Sequence, residues 1–186
     1  SEARRAGVPF PLYRLILHIR KHGLQTADLF SQAGSHKDFE AIRSSLDEET
    51  GWGSGAEGRL PGGIHSVVEA LLRLLDSLPE PLVPRSAADA CLRCGWPGDE
   101  AGASWACLQV FPRPHRDALV FLVDFLGQVH ANAHHNATNI DFISSVVASV
   151  LFGLDRAGQV RSGSQEALRA ASHFLSNLIR SPRPTS

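Results

Sequence analysis

Cys91-Leu92-Arg93-Cys94 places two thiols three residues apart, a spacing used by zinc sites and by dithiol redox centres. Zinc would need two further ligands. The nearest along the chain are Cys107 and His115, and their spacing matches no common finger pattern. The pair also lacks the strand-before-helix setting of a redox motif, so two core cysteines one helical turn apart are the simpler reading. His130, His134 and His135 cluster in HANAHH with no matching carboxylate pair, and read as solvated side chains of a polar loop. Asn136-Ala137-Thr138 is a glycosylation sequon, which has meaning only in the secretory path. No GxSxG, HExxH or phosphate-binding P-loop occurs, and Asp124 and Asp141 are not paired by spacing. The Gly34-Ser35 turn could hold a phosphate at a helix N-terminus, but Ser35 as an N-cap is the simpler assignment. The expectation is no metal and no cofactor.

The elements that must position these residues read as helices almost throughout. Leu12, Leu15, Ile16 and Ile19 fall at i, i+3, i+4 and i+7, with Pro9 and Pro11 at the start and Gly23 just past the end. A second helix follows Ser35, where Ser35-His36-Lys37-Asp38 resembles a capping sequence with its acid at N3, and Phe39, Ile42 and Leu46 face one way. GWGSGAEGRLPGG, residues 51–63, reads as a flexible loop. Helices are then expected over 65–78, ended by Pro79 and Pro81, and over 87–94. WPGDEAGAS, 96–104, is expected to be a loop, followed by a short helix over 105–110. A long apolar helix spans 114–130, and ANAHHNATN is a polar connection. Residues 140–154 are apolar nearly all round, the pattern of a central buried helix, and 165–180 form a final amphipathic helix. No strand alternation and no internal repeat is evident. The fold class expected is all-α, with about seven to nine helices.

Composition narrows the function. Hydrophobic residues at 43% against 20% charged are enough for a full core. A formal net charge of −1 leaves no basic surplus for nucleic acid or an anionic membrane surface. No apolar run approaches the roughly 20 residues of a membrane span. SEARRAGVPFPLYR has no secretory h-region, and three cysteines suit a reducing compartment, so a cytoplasmic location is expected. The start without Met suggests a piece of a longer protein.

Three segments occur together in order: DLFSQAG at 28–34, HSVVEALLRLLDSLPEPLVP at 65–84, and FPRPHRDALVFLVDFL at 111–126. They resemble the Rho GTPase-activating (RhoGAP) fold, whose pattern runs G-L/I-F-R-x-x-G, then L-K-x-x-x-R-x-L-P-E-P-L, then L-P-x-x-H/N. The resemblance covers nearly the whole chain, with 1–7 as linker, 8–180 as the domain and 181–186 as a disordered tail. Within the family the wording is most similar to the catalytically degenerate RhoGAP-like domain of OCRL-type inositol polyphosphate 5-phosphatases. The shared features are VPxxL with an aromatic at 8–13, DLF without a following Arg, HSVVEALL at 65–72 and the HR of 111–116.

The resemblance implies a specific deficiency. RhoGAP catalysis inserts an arginine finger beside the nucleotide of the bound GTPase, where it offsets charge on the transferring phosphoryl group. That finger is worth on the order of 10³–10⁵ in rate, roughly 4–7 kcal/mol of barrier. Here the residue after Phe30 is Ser31, neutral and short. The family's Lys falls at Leu72 and its Arg at Asp76, and aligning NIDFISSVV places Phe142 at the Asn that contacts the GTPase. Gln32 carries no charge, Lys37 lies in the next helix, and Arg14 and Arg20 occupy no motif position. Arg73 would replace the Lys only by a one-residue slip that rotates it about 100° around the helix.

What the resemblance therefore implies is a non-catalytic, non-enzymatic interaction module of signalling or endocytic trafficking. Its implied partners are Rho-family small GTPases bound weakly without hydrolysis, Phe/His helical peptides of endocytic adaptors, and Rab GTPases reached through an adjacent domain. It also implies recruitment to endosomal or Golgi membranes, and a 5-phosphatase domain elsewhere in the parent protein. Tyr13, where the branch has Trp, is the residue implied at the peptide groove. The alternative is an active Rho-family GTPase activator that uses an arginine from elsewhere.

Overall fold

The computed structural model describes residues 7–48, 58–95, 101–154 and 164–181. Among these it contains nine α-helices, one 3-10 turn and no strand. They are α1 (Phe10–His22), α2 (His36–Glu48), α3 (Ile64–Ser77), α4 (Arg85–Cys94), α5 (Ala101–Cys107), α6 (Arg113–Ala131), α7 (Ala133–Asn136), α8 (Ile140–Leu151) and α9 (Ser164–Arg180). Residues 1–6 of the expected 1–7 linker, 51–57 of the Gly-rich loop, 96–100 of the expected 96–104 loop and 182–186 of the expected 181–186 tail lie outside the described residues.

The expected apolar stripes face the core, although in α2 Ile42 is buried while Phe39 and Leu46 are half-buried. Leu12, Leu15, Ile16 and Ile19 of α1 meet Val67, Val68, Leu71 and Leu75 of α3 in one continuous core. Each such side chain contributes roughly 1.5–3 kcal/mol by leaving water. Helix α6 adds Leu119, Leu122, Phe125, Leu126 and Val129. Helix α9 packs against α4, α5, α6 and α8, and Phe174 meets Phe152 edge-on at a centroid distance of 5.9 Å.

Four expectations change. Helix α8 is not buried all round: Ile140, Ile143, Val147 and Leu151 face the core, while Asp141 and Phe142 face solvent. It is α9 that touches four neighbours, because small Ala170 and Ala171 allow close approach. The segment expected to be a loop over 96–104 is helical from Ala101. Ser104 and Trp105 are buried there, and this packing offsets the poor propensity of Gly102. The polar connection contains α7, ended by Ala137 in the left-handed region at φ 55°. Finally, residues 58–63 are pinned rather than loose. Arg14 Nη1 donates to Gly58 O at 3.3 Å, Leu60 N–H to His18 Nδ1 at 3.1 Å, and Gly63 N–H to Asp38 Oδ2 at 3.0 Å. Leu60 is inserted in the core.

Candidate functional site: the 28–35 loop on helix α3

The DLFSQAG loop follows α1. It opens at Asp28, whose φ of 54° is a left-handed conformation that Asp tolerates better than most residues. The backbone N–H groups of Ser31 and Gln32 both donate to Asp28 O, at 3.0 and 3.2 Å. Leu29 and Phe30 point into the core and anchor the turn. Ser31 and Gln32 are left exposed, with Ser31 Oγ donating to Asp28 O at 3.3 Å. The loop thus presents Ser31 outward, and what it presents is a hydroxyl already folded back on its own backbone.

Helix α3 supplies the platform. His65 Nε2 bonds Ala27 O at 3.0 Å, so that nitrogen carries the proton. Ser66 Oγ accepts the Ser35 N–H at 3.0 Å and donates to Asp38 Oδ2 at 2.7 Å. Glu69 Oε2 accepts the Gly34 N–H at 2.7 Å. Asp38, expected to reach back to its own helix start, instead bonds Gly63 and Ser66 across the interface. Gly34, read in the sequence as a turn residue, is small because a Cβ there would lie 2.7 Å from Ser66 Cα.

Charge follows geometry. Asp38 is held below the usual carboxylate range by the Gly63 N–H first and then by the Ser66 hydroxyl. Glu69 is lowered mainly by the Gly34 N–H, with Arg73 assisting and partial burial opposing. Arg73 gives Glu69 Oε1 two bonds, at 3.1 and 2.8 Å, and its guanidinium sits 4.2 Å from the centre of the Phe39 ring.

Leu72, Asp76 and Phe142, the other residues singled out by the sequence resemblance, lie on this platform and its neighbour. Leu72 is half-buried and Asp76 exposed, four residues apart on one face of α3. Asp76 stands roughly 10 Å along the axis from Glu69. Helix α8 packs against α3 and carries Phe142, 39% exposed, whose N–H is capped by Asn139 Oδ1 at 2.8 Å. Helices α3 and α8 therefore carry an apolar side chain, an acid and an aromatic ring at residues 72, 76 and 142.

The nearby arginines are engaged. Arg14 is 1% exposed, and its guanidinium is spent on the 58–63 segment. Arg20 pairs with Asp124 at 2.7 Å and lies 4.8 Å over the Phe121 ring. Tyr13, half-buried on α1, faces the same Phe121 of α6 at 6.0 Å with a 31° tilt. This second surface lies between α1 and α6.

Other sequence candidates resolve structurally. Asn136 is fully buried, and its amide donates to Leu24 O at 3.0 Å and Val129 O at 2.9 Å, so the sequon is a helix-joining clamp. His134 and His135 stack on each other at 4.0 Å on the exposed surface. Among the described residues no group of three or more His, Cys, Asp or Glu side chains is placed to hold a metal ion. No described helix is long and apolar enough to cross a membrane. Sequence reasoning missed Ser66, Glu69 and His18, whose partners lie 31 to 42 residues away. It also missed that His115 Nδ1 bonds Leu82 O at 3.0 Å, which joins the FPRPHR segment to the LPEPL turn.

The motif segments thus meet one another in the fold. Residues 9–156 match the family model of the RhoGAP domain. The mouse type II inositol 1,4,5-trisphosphate 5-phosphatase is 33% identical over 144 residues, 77% of this chain and 14% of that protein. Mouse Rho GTPase-activating protein 25 is 26% identical over 75% of this chain and 22% of its own length. The chain therefore spans a small part of these relatives. Among solved structures, the BH domain from Graf, the GTPase regulator associated with focal adhesion kinase, superposes with a TM-score of 0.75 at 17% identity, over 91% of this chain and 88% of that one. Human Rho GTPase activating protein 15 gives 0.74 at 20% identity, over 96% and 83%. The all-helical class and the likeness to the 5-phosphatase branch both stand, and the chain belongs to the RhoGAP domain family.

Proposed function

We propose that this domain is a non-catalytic RhoGAP-like interaction module. The observation that carries the reading is Ser31: the loop holds it outward, it follows Phe30 where the resemblance implies the finger, and it has neither the charge nor the length to reach a phosphoryl group in another protein. Leu72 and Asp76 on α3 support it. A Rho-family GTPase would meet an apolar side chain and an acid where the family pattern has Lys and Arg, so contact is weak and does not stimulate hydrolysis.

The surface between α1 and α6 supplies a binding function. Tyr13 and Phe121 offer flat apolar faces beside the Arg20–Asp124 pair, a setting suited to an amphipathic helix laid into a groove. Phe/His helical peptides of endocytic adaptors are the proposed occupants, and Tyr13→Ala weakens their binding. In the parent protein, a 5-phosphatase domain and an adjacent Rab-binding domain accompany this one, which is recruited to endosomal or Golgi membranes.

The second reading, an activator with an arginine from elsewhere, falls on Arg73, because Arg73 shares Glu69 with the loop. It would have to leave both Glu69 and Phe39. Single-turnover GTP hydrolysis by a panel of Rho-family GTPases separates the two. The wild-type chain is expected to leave the intrinsic rate unchanged. Stimulation beyond about tenfold that is lost in Arg73→Ala would establish the second reading, against the 10³–10⁵ of a full finger.

A further inference from the structure

The proposed function makes no use of the cysteines, of which Cys91 lies in the core as expected while Cys94 and Cys107 pack against it half-buried. Cys91 and Cys94 stand one turn apart on α4, which ends at Cys94, while Cys107 ends α5. The two helices pack on each other and on α9. Cys91 is fully buried, whereas Cys94 and Cys107 keep partial exposure. Cys94 Sγ lies 2.7 Å from Cys107 Sγ, across 13 residues of sequence, and the three side chains are thiols. A disulfide has a sulfur–sulfur distance of about 2.05 Å, so roughly 0.7 Å of closure would bond this pair.

We propose that Cys94 and Cys107 are a modification site, a dithiol that hydrogen peroxide converts reversibly into an intrachain disulfide. One thiolate sulfur attacks the O–O bond, giving a sulfenic acid and releasing the other oxygen as water after protonation. The second thiol then attacks the sulfenic sulfur, the S–S bond forms, and the hydroxyl leaves as a second water. Two electrons pass from the sulfur pair to the peroxide, and a small dithiol reverses the bond by exchange. Cys91 is passed over although it is nearer to Cys94 in sequence. It is enclosed, and burial, with the neighbouring thiols, pushes its pKa up to about 12, so it stays a protonated thiol out of the oxidant's reach. The bond staples α4 to α5 where both rest on α9. By the chain-entropy account of a loop of this size, the thermal midpoint rises on the order of 5–10 °C.

The test is to treat the 186-residue chain with hydrogen peroxide, block remaining thiols with iodoacetamide, digest without reduction and map the peptides by mass spectrometry. The expected product is a Cys94–Cys107 linked pair, two hydrogens lighter than the separate peptides and released by dithiothreitol. Cys91 is expected to become alkylated only after unfolding. Cys91→Ala is expected to form the same link, and Cys107→Ala none. Three outcomes overturn the proposal: Cys94 and Cys107 separately alkylated after peroxide, either residue carried to sulfinic acid without a linked pair, or Cys91 found in the link. The wild-type map decides by itself if a variant does not fold.

Discussion

Gly34 donates its backbone N–H to Glu69 Oε2 at 2.7 Å, and the other oxygen of that carboxylate holds Arg73. One side chain thus ties the 28–35 loop to Arg73 on helix α3. Glu69→Ala is expected to lower unfolding stability by about 1 kcal/mol, the scale of one lost hydrogen bond. It should also raise amide exchange at Gly34 and Ser35 well above that of the helices. Exchange rates that stay at the wild-type level would show that Ser66 alone holds the loop.

Gly34 is the tighter constraint. An added Cβ meets backbone at Ser66 Cα, which cannot swing away as a side-chain tip would. Gly34→Ala is expected to cost about 1–3 kcal/mol in urea denaturation, although alanine normally stabilises an exposed turn by restricting the unfolded chain.

Stability should fall in mild acid because of His18. Burial first, then the charges of His22, Arg59 and Arg14, lower its pKa to about 4, and its Nδ1 accepts the Leu60 N–H only while unprotonated. An unfolded histidine takes its proton near 6.5, so between about 6.5 and about 4 the unfolded state binds more protons than the folded one. The stabilisation is complete above that window and is lost as the pH drops through it, by up to about 3 kcal/mol. His18→Gln keeps an acceptor and does not titrate. The wild-type minus variant difference in unfolding free energy should therefore slope across this window. The lowered carboxylates Asp38 and Glu69 are common to both proteins, and their effects cancel.

Restoring the family charges should restore GTPase contact before it restores turnover. Leu72→Lys with Asp76→Arg replaces a half-buried apolar and an exposed acidic side chain on the same face of α3. Retention of GTP-loaded Rho-family proteins is expected to rise several-fold at low salt and to fall back at high salt. Hydrolysis should accelerate only when Ser31→Arg is added. Acceleration in the double variant without Ser31→Arg would place the catalytic group outside the loop.

What the sequence determined by itself was local and periodic. Leu12, Leu15, Ile16 and Ile19 marked the buried face of α1, Pro79 and Pro81 ended α3, and the three motif segments pointed to the family. Both helical period and proline chemistry act within a few residues, so they can be read along the chain. Tertiary structure decided what long-range partners do. Asn136 bonds Leu24 across 112 residues, His18 bonds Leu60 across 42, and Cys94 meets Cys107 across 13. A polar group forced into the core must find a donor or acceptor wherever the packing leaves one. That partner is set by how helices cross, which no spacing along a single helix encodes. The same reason separates the two readings of Gly34: its sequence context suggested a turn, and only the approach of α3 showed that space, not backbone freedom, requires a glycine there.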